Sequence, residues 1–241
     1  MKIGIIGAGP IGTTLSNKLS ENGHEVKIAD VRSIERLKNK TFSGKAVDVE
    51  DVIVDIDMLI LSIPTFVIPS IDRIIAQVAK EVIIVDTSNY YPFRDDKIEA
   101  IEKGEVESIW VSQQIGRDVV KAFNNLLAYT LANKGTHQDD KNRIAIAVSG
   151  NNIVEKEKVM HIVNEVGFDV VDNGDLNNSW RAQPGTPAYC TELTKEELKE
   201  ALEKANKEKA PSLREKVIAS FSPDFNHEDI VNLNRKIYNE K

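Results

Sequence analysis

The most constraining feature of the sequence is a glycine-rich turn between a short apolar segment and an amphipathic one. Gly7, Gly9 and Gly12 form the pattern Gly-x-Gly-x-x-Gly directly after Lys2–Ile6, whose β-branched residues are typical of a buried parallel strand. Apolar side chains then recur at positions 11, 15 and 19, the spacing of one helix face. A second strand pattern follows at Glu25–Ala29. Strand, turn, helix and strand predict one βαβ unit that binds a dinucleotide.

Each residue of this unit has a distinct predicted role. Gly7 permits the tight bend, Gly9 lets a pyrophosphate approach the backbone, and Gly12 lets the helix lie close to the sheet. The helix N-terminus offers free N–H groups to the phosphates. Asp30, at the end of the second strand, can accept hydrogen bonds from the adenosine ribose, which favours NAD, whereas Arg32 can pair with a 2′-phosphate, which favours NADP. The two residues leave the choice of coenzyme open.

Alternating strand and helix patterns continue to about residue 171 and predict an α/β fold. This is a Rossmann fold, in which helices cover both faces of a doubly wound parallel sheet. The further predicted strands are Met58–Ile63, Val82–Val85, Ser108–Val111, Val119–Phe123, Ile144–Val148 and Phe168–Val171, and the further helices are Ile68–Lys80, Asp95–Lys103, Leu126–Asn133 and Val154–Val166.

The chain changes character near Asn173. A loop rich in proline and glycine is followed by Thr194 and Glu197, spaced as a capping box, and then by three stripes of apolar residues at helical spacing. We therefore predict a Rossmann dinucleotide-binding domain over residues 1–174. Residues 175–241 are predicted to form a loop plus a small helical C-terminal region.

Composition limits the partners of the chain. The formal net charge is −7, so an acidic surface makes nucleic acid an unexpected partner. The single cysteine, Cys190, excludes an intrachain disulfide, and no cluster of cysteine and histidine has metal-ligand spacing, so no metal is predicted. The longest apolar runs are short: Met58–Ile63, which Ser62 interrupts, is far shorter than the ~20 residues of a membrane span. A cytoplasmic protein with no membrane partner is expected.

Five motifs together resemble the family of F420-dependent NADP oxidoreductases, which is related to the cytosolic domains of the STEAP metalloreductases. The resemblance covers at least residues 1–190. The motifs are Gly7–Gly12, Ile63-Pro64, the run from Asp86 to Pro92, the run from Val119 to Asn124, and Ser179-Trp180-Arg181 with the segment from Gln183 to Pro187.

The resemblance implies a protein that binds NADP and exchanges hydride with F420 or a flavin as co-substrate, and that forms a homodimer, with the tail helices as the suggested interface. Family members often have Ser-Arg where this chain has Asp30-Val31-Arg32, so NAD also remains possible. Carried over by position, the coenzyme contacts are Gly9, Pro10, Ile11 and Gly12 at the pyrophosphate, Ile63 and Pro64 along the trough, and Asn89, Ala122 and Asn124 near the nicotinamide.

Catalytic groups are less evident, because none of the histidines lies in a motif. Reduction of a carbonyl usually needs a placed proton donor, whereas a flavin-type ring delocalises the transferred charge. Lys121 and Tyr91 are the candidate donors, although the stem of Lys121 could instead extend to solvent and Tyr91 could be a packing residue. Asn124 could also cap the helix near Leu126.

Two alternatives to hydride exchange with a ring remain open. The chain could be a dehydrogenase or imine reductase for a small metabolite, with Lys121 or Tyr91 as the proton donor. It could also be a redox sensor that binds NAD(P) without turnover and contacts a protein through its charged tail.

Overall fold

The computed structural model describes residues 1–239, and its centre is a six-stranded sheet in the order β3-β2-β1-β4-β5-β6. All five neighbouring pairs are parallel, which confirms the predicted Rossmann fold. The chain adds β2 and β3 on one side of β1 and then returns to add β4, β5 and β6 on the other side. The strand order therefore reverses between β1 and β4, and a crevice opens at the carboxyl ends of the strands at such a point. The strands are β1 (Lys2–Ile6), β2 (Glu25–Ala29), β3 (Lys45–Ala46), β4 (Met58–Leu61), β5 (Ile83–Asp86) and β6 (Val120–Lys121).

Helices flank this sheet and form most of the tail. Three additional segments are 3₁₀ helices, at Ile34–Leu37, Thr65–Ile71 and Leu176–Ala182. The α-helices are α1 (Pro10–Glu21), α2 (Asp72–Ile75), α3 (Pro92–Asp95), α4 (Glu99–Glu102), α5 (Glu107–Ile115), α6 (Ala128–Asn133), α7 (Ile153–Glu165), α8 (Lys195–Lys204), α9 (Ala210–Ser220) and α10 (His227–Tyr238).

Both faces of the sheet are buried, because successive side chains along a strand point to opposite sides. Ile3 and Ile5 of β1 belong to the apolar cluster that includes Leu15 and Leu19 of α1. Ile6 belongs to the cluster on the other face. Continuous apolar strands are therefore required here, and each fully buried isoleucine contributes about 1.5–3 kcal/mol.

The last two strands do not extend the main sheet, contrary to the expectation of one continuous sheet. β7 (Ala145–Val148) and β8 (Asp169–Asp172) form a parallel pair of their own, joined through α7. A single antiparallel bridge between Lys121 and Ser149 connects this pair to β6. The helix α8 covers the face of this pair on which Ala145 and Ala147 lie.

Three predicted elements differ in the structure. Ser108–Val111 lies in α5 rather than in a strand, and α5 ends at Gly116 in the left-handed conformation at φ 64°. The predicted helix Ile68–Lys80 is mostly 3₁₀ helix followed by the four residues of α2. Pro69 explains the difference because it has no N–H for an α-helical hydrogen bond. The predicted helix Asp95–Lys103 is broken by Asp96 at φ 56°.

The C-terminal region contacts the preceding domain closely. Leu198 and Leu202 of α8 pack against Ala145 and Ala147 of β7. The predicted capping box at Thr194 is present, and a second one at Asn226 begins α10. The domain division at residue 174 stays a prediction, and residues 240 and 241 of the predicted tail lie outside the described residues.

The turn between β1 and α1 generates a stability prediction. A Cβ on Gly12 would lie 1.9 Å from the carbonyl oxygen of Gly7, so Gly12→Ala requires a backbone shift. We expect a loss of about 1–3 kcal/mol, as for other overpacked sites, measured by thermal unfolding. Gly9→Ala is the matched control, because a Cβ on Gly9 would meet no atom within 4 Å. Equal melting temperatures for the two variants would contradict the close contact.

Candidate functional site

The glycine turn leaves a bare helix end at the edge of the sheet. Gly7 has φ 112°, and its N–H donates to Ala29 O at 2.8 Å, which fixes the turn against β2. Gly9 is the N-cap of α1 and gives no side-chain cap to the first turn. The first N–H groups of a helix have no partner within the helix. This end of α1 therefore presents free donors and the positive end of the helix dipole.

Two adjoining cavities open at the carboxyl edge of the strands. One has a volume of about 430 Å³ and extends towards β2, and the other has about 340 Å³ and extends towards β5 and β6. Gly9, Ser62, Ile63 and Pro64 line both of them. An elongated ligand that crosses Gly9 would therefore have one end in each cavity, as a dinucleotide requires.

Most of the residues predicted from the sequence lie along these cavities. Gly12, Ala122 and Lys121 are not among the lining residues; Gly12 instead contacts the backbone of Gly7. Those that line at least one cavity are Gly7, Gly9, Pro10, Ile11, Asp30, Arg32, Ile63, Pro64, Asn89, Tyr91 and Asn124.

In the larger cavity, Asp30 and Arg32 bind each other. The backbone N–H and the guanidinium Nε of Arg32 donate to Asp30 Oδ1 at 3.0 and 3.3 Å, and Arg36 Nε lies 3.6 Å from Oδ2. Burial would raise the pKa of Asp30, but these hydrogen bonds and the charges of both arginines hold it below its usual value. The carboxylate is thus ionised and compensated, while the side chain of Arg32 stays 67% exposed.

Lys40 is a cation of this cavity that sequence reasoning missed. Its Nζ donates to Ala8 O, within the glycine turn, and Lys40 lines the cavity. The loop that carries it has no periodic pattern or motif, so only the folded chain brings it to the turn. Arg32, Arg36 and Lys40 make this end of the site suited to an anion.

The smaller cavity is walled by two asparagines from neighbouring strand ends. Asn89 Nδ2 donates to Asn124 O at 2.9 Å, and Asn124 Nδ2 donates to Asn89 Oδ1 at 3.2 Å and to Ala182 O at 2.9 Å. Among the residues that the structure describes, the buried Oδ1 of Asn124 and Oγ of Ser88 have no hydrogen-bond partner. Asn124 does not cap a helix, because α6 begins at Ala128 with Leu127 as its N-cap. The wall therefore keeps unsatisfied polar atoms for a ligand.

Backbone strain marks the same wall. Phe123, between Ala122 and Asn124, has φ 61°, and Cys190 has φ 54°. Left-handed conformations of bulky residues cost free energy and persist only when the surrounding structure imposes them. Both residues line the smaller cavity. These conformations fix the direction of the backbone in this wall. Backbone strain of this kind is typical of functional sites.

Two tyrosine hydroxyls meet beside the asparagines. Tyr91 Oη and Tyr189 Oη are 2.6 Å apart, and Asn89 Nδ2 lies 3.5 Å from Tyr189 Oη. Burial raises the pKa of both tyrosines, and it raises the pKa of the adjacent Cys190 thiol to about 12. These groups remain protonated near neutral pH. Tyr189, with no recognisable role in the sequence, is brought here by the tail.

The C-terminal helix holds the loop that carries Tyr189. Asn234 Nδ2 of α10 donates to Cys190 O at 3.1 Å, and Arg235 donates to Thr191 O at 2.7 Å and to Glu192 O at 2.9 Å. Three of the loop carbonyls are therefore occupied by side chains of α10. The tail is part of the site rather than an appendage to it.

Lys121 lies behind the cavity wall. Its Nζ is 2.7 Å from Asp86 Oδ2 and also donates to Ser88 O, and its side chain is 3% exposed. The suggestion that its stem extends to solvent is wrong, because the strand end is covered and Asp86 pairs the ammonium inside. Glu107 is close to this pair, and its Oε2 accepts from Tyr90 N at 3.0 Å.

A separate cluster joins Glu192, His227 and Glu228, whose ligand atoms lie within 4.8 Å of one another. Lys134 Nζ lies 2.8 Å from Glu192 and 2.6 Å from Glu228. The ammonium already supplies the positive charge that these carboxylates need. The cluster ties α6 to α10 through ion pairs.

Comparison with known proteins adds to this geometry. A family described as NADP oxidoreductase coenzyme F420-dependent matches residues 2–90. The chain is 34% identical over 103 residues to the Escherichia coli protein YjhV, in an alignment that covers 42% of this chain and 75% of that protein. In the part of the chain that the structure describes, no helix is long and apolar enough to cross a membrane.

Two crystal structures are similar to the chain over most of their length. SMa0349 from Sinorhizobium meliloti is 31% identical, with a TM-score of 0.66 over 81% of this chain and 95% of that one. An Arthrobacter protein described as an F420-dependent NADP reductase is 21% identical, with a TM-score of 0.62 over 74% of this chain and 87% of that one. At that lower identity the likeness shows a shared fold.

The buried carboxyl behind the wall generates a pH prediction. Burial raises the pKa of Glu107 to about 7 from 4.5, although Lys121 and Arg214 oppose the shift. The folded chain therefore holds a proton that the unfolded chain releases, so the contribution of Glu107 to stability falls as pH rises from about 4.5 to 7. We expect Glu107→Gln, which cannot ionise, to gain melting temperature relative to the original chain as pH rises.

Thermal unfolding of both chains at several pH values between about 5 and 8 measures this gain, and their difference removes the other titrating groups. Glu81→Gln, the same substitution at an exposed position, serves as the control. A constant difference for Glu107→Gln would contradict the shift.

Proposed function

The chain belongs to the family of F420-dependent NADP oxidoreductases, and on that premise we propose that it transfers hydride between NADP(H) and a planar ring acceptor, F420 or a flavin. The observation that carries the proposal is the set of titratable residues in the smaller cavity: Tyr91, Arg94, Tyr189 and Cys190. The tyrosines and the thiol stay protonated and a guanidinium stays charged near neutral pH. The cavity offers hydrogen bonds without exchanging protons, which suits an acceptor that delocalises charge.

The residues present fit a nicotinamide dinucleotide. The open backbone at Gly9 and the free N–H groups of α1 suit the pyrophosphate, and Ile63 and Pro64 form an apolar floor between the two cavities. The unpartnered Oδ1 of Asn124 suits the amide N–H of a carboxamide. When bound, the nicotinamide would supply or accept the hydride. The chain's own residues orient the ring at the Asn89–Asn124 wall.

The residues of the larger cavity, at the other end of the site, favour binding of a 2′-phosphate. Asp30 uses Oδ1 to accept from Arg32, so its charge is offset, and it is less available to ribose hydroxyls. The exposed guanidiniums of Arg32 and Arg36, with Lys40 at the turn, favour an anion. We therefore propose NADP rather than NAD as the preferred coenzyme.

The small-metabolite dehydrogenase or imine reductase is the second candidate, and the position of Tyr91 in the cavity favours it. Lys121 fits this alternative poorly because it is paired to Asp86 behind the wall. The redox sensor differs from both by tight coenzyme binding without turnover. The homodimer and the cytoplasmic location stay predictions, and light scattering at working concentration checks the first.

Turnover with ring acceptors tests the proposed function. We expect NADPH absorbance to fall in a stopped-flow experiment when F420, FMN or FAD is added, because the cavity needs no proton donor of intermediate pKa. Cyclic imines and small ketones form the comparison panel. Oxidation by these alone would support the second candidate, and binding without any oxidation would support the sensor.

Coenzyme preference is tested at Arg32. We expect Arg32→Leu to weaken NADPH binding about 10- to 100-fold, the effect of losing charge-assisted hydrogen bonds, while NADH binding changes less than about twofold. Isothermal titration with both coenzymes measures this, and Arg73→Leu, an exposed change on α2, is the control. An equal loss for NADPH and NADH would count against a phosphate contact.

A further inference from the structure

Within residues 1–239, the tyrosine pair in the smaller cavity has one hydrogen without a strong acceptor. Either hydroxyl can donate across the 2.6 Å contact between Tyr91 and Tyr189, and a hydroxyl has only one hydrogen. Asn89 Nδ2 donates to Tyr189 Oη, so it supplies no acceptor. The remaining neighbour is the thiol of Cys190, whose sulfur accepts weakly. One O–H of the pair is thus available to a ligand in the cavity.

Either hydroxyl can keep this hydrogen, because the contact of Asn89 with Tyr189 forms in both arrangements. When Tyr91 donates to Tyr189, the two lone pairs of Tyr189 Oη receive Tyr91 and Asn89, and its own hydrogen is left over. In the arrangement in which Tyr91 donates, Tyr91 is a positioning residue and Tyr189 is the donor.

Tyr189 is held in place before any ligand arrives. It belongs to an apolar cluster with Cys190, Ile237 and Tyr238, and the following carbonyls are bound by Asn234 and Arg235. Burial keeps the hydroxyl protonated. A donor that is fixed and always protonated loses little freedom when it binds, which is the basis of preorganised recognition.

Resting on the proposed function, we propose that Tyr189 donates a hydrogen bond to the molecule that accepts the hydride. The atom of that molecule that receives the hydrogen bond is a conjugated carbonyl oxygen or a ring nitrogen facing this wall. Deazaflavin and flavin rings carry such atoms at their edges. The C-terminal region thereby supplies the acceptor contact, whereas the Rossmann domain supplies the coenzyme contacts. Acceptor selection and coenzyme binding are separated along the chain.

Binding without turnover tests this contact. The dissociation constants of oxidised FMN and F420 are measured by their own fluorescence in the presence of saturating NADP⁺, which has no hydride to give. We expect Tyr189→Phe to weaken acceptor binding about 10-fold, the effect of one lost hydrogen bond. Tyr91→Phe is expected to weaken it about 3-fold, because Tyr189 keeps its hydrogen but loses its orientation.

Tyr129→Phe is the matched control, since Tyr129 is an exposed tyrosine of α6 outside the cavity lining. NADP⁺ binding is measured for every variant and is expected to change less than about twofold, because a merely structural defect would weaken both ligands. Phenylalanine keeps the buried ring, and circular dichroism confirms that each variant folds.

The outcomes separate the two proposals. Unchanged acceptor binding in Tyr189→Phe overturns the contact while turnover by the original chain upholds the proposed function. A larger loss in Tyr91→Phe than in Tyr189→Phe overturns the choice of Tyr189 as donor. An original chain that binds neither acceptor overturns both.

Discussion

The contact between the end of β1 and the start of α1 is the constraint on which the rest of the structure depends. Gly12 lies so close to the carbonyl of Gly7 that a side chain would collide with it. The helix therefore begins at the edge of the sheet, with its free N–H groups in the crevice between β1 and β4. Because β4 ends beside this point, Ile63 and Pro64 face the same crevice as Gly9.

This placement gives the two cavities different chemical characters. The cavity towards β2 collects Arg32, Arg36 and Lys40 around one compensated carboxylate, so it favours a phosphate. The cavity towards β5 and β6 collects amides, hydroxyls and the guanidinium of Arg94, whose charge Asp95 compensates at 2.7 Å. The separation follows from topology, since strands on opposite sides of β1 end at opposite ends of the crevice. Strained backbone at Phe123 and Cys190 lines the second cavity.

The features that could be predicted from the sequence are those that depend on residues close together in the chain. The glycine turn, the buried strands and the capping box at Thr194 each require particular residues at fixed spacings, and the structure contains all three. Two predicted helices are interrupted, one at Pro69 and one at Asp96. The spacing of apolar residues alone does not show where the backbone departs from the α-helical conformation.

Most of the site residues predicted from motifs line the two cavities, whereas Lys40 and Tyr189 reach them through long-range contacts that no motif indicates. In the sequence, Asp30 and Arg32 favour different coenzymes, whereas in the fold they form hydrogen bonds with each other. Lys40 reaches the turn from an unpatterned loop, and Tyr189 reaches Tyr91 from 98 residues away. No local signal encodes the contact of Tyr189, because it depends on how α10 packs against the loop before α8.

The buried pair of Lys121 and Asp86 shows how the site controls charge. In the proposed reaction the oxidised nicotinamide ring carries a positive charge, which an uncompensated ammonium close to it would destabilise. Lys121 bonds to the carbonyl of Ser88, a residue of the cavity wall, so its charge is near. Asp86 at 2.7 Å compensates that charge inside the protein. The same pairing that makes Lys121 unavailable as a proton donor thus offsets its charge beside the cavity wall.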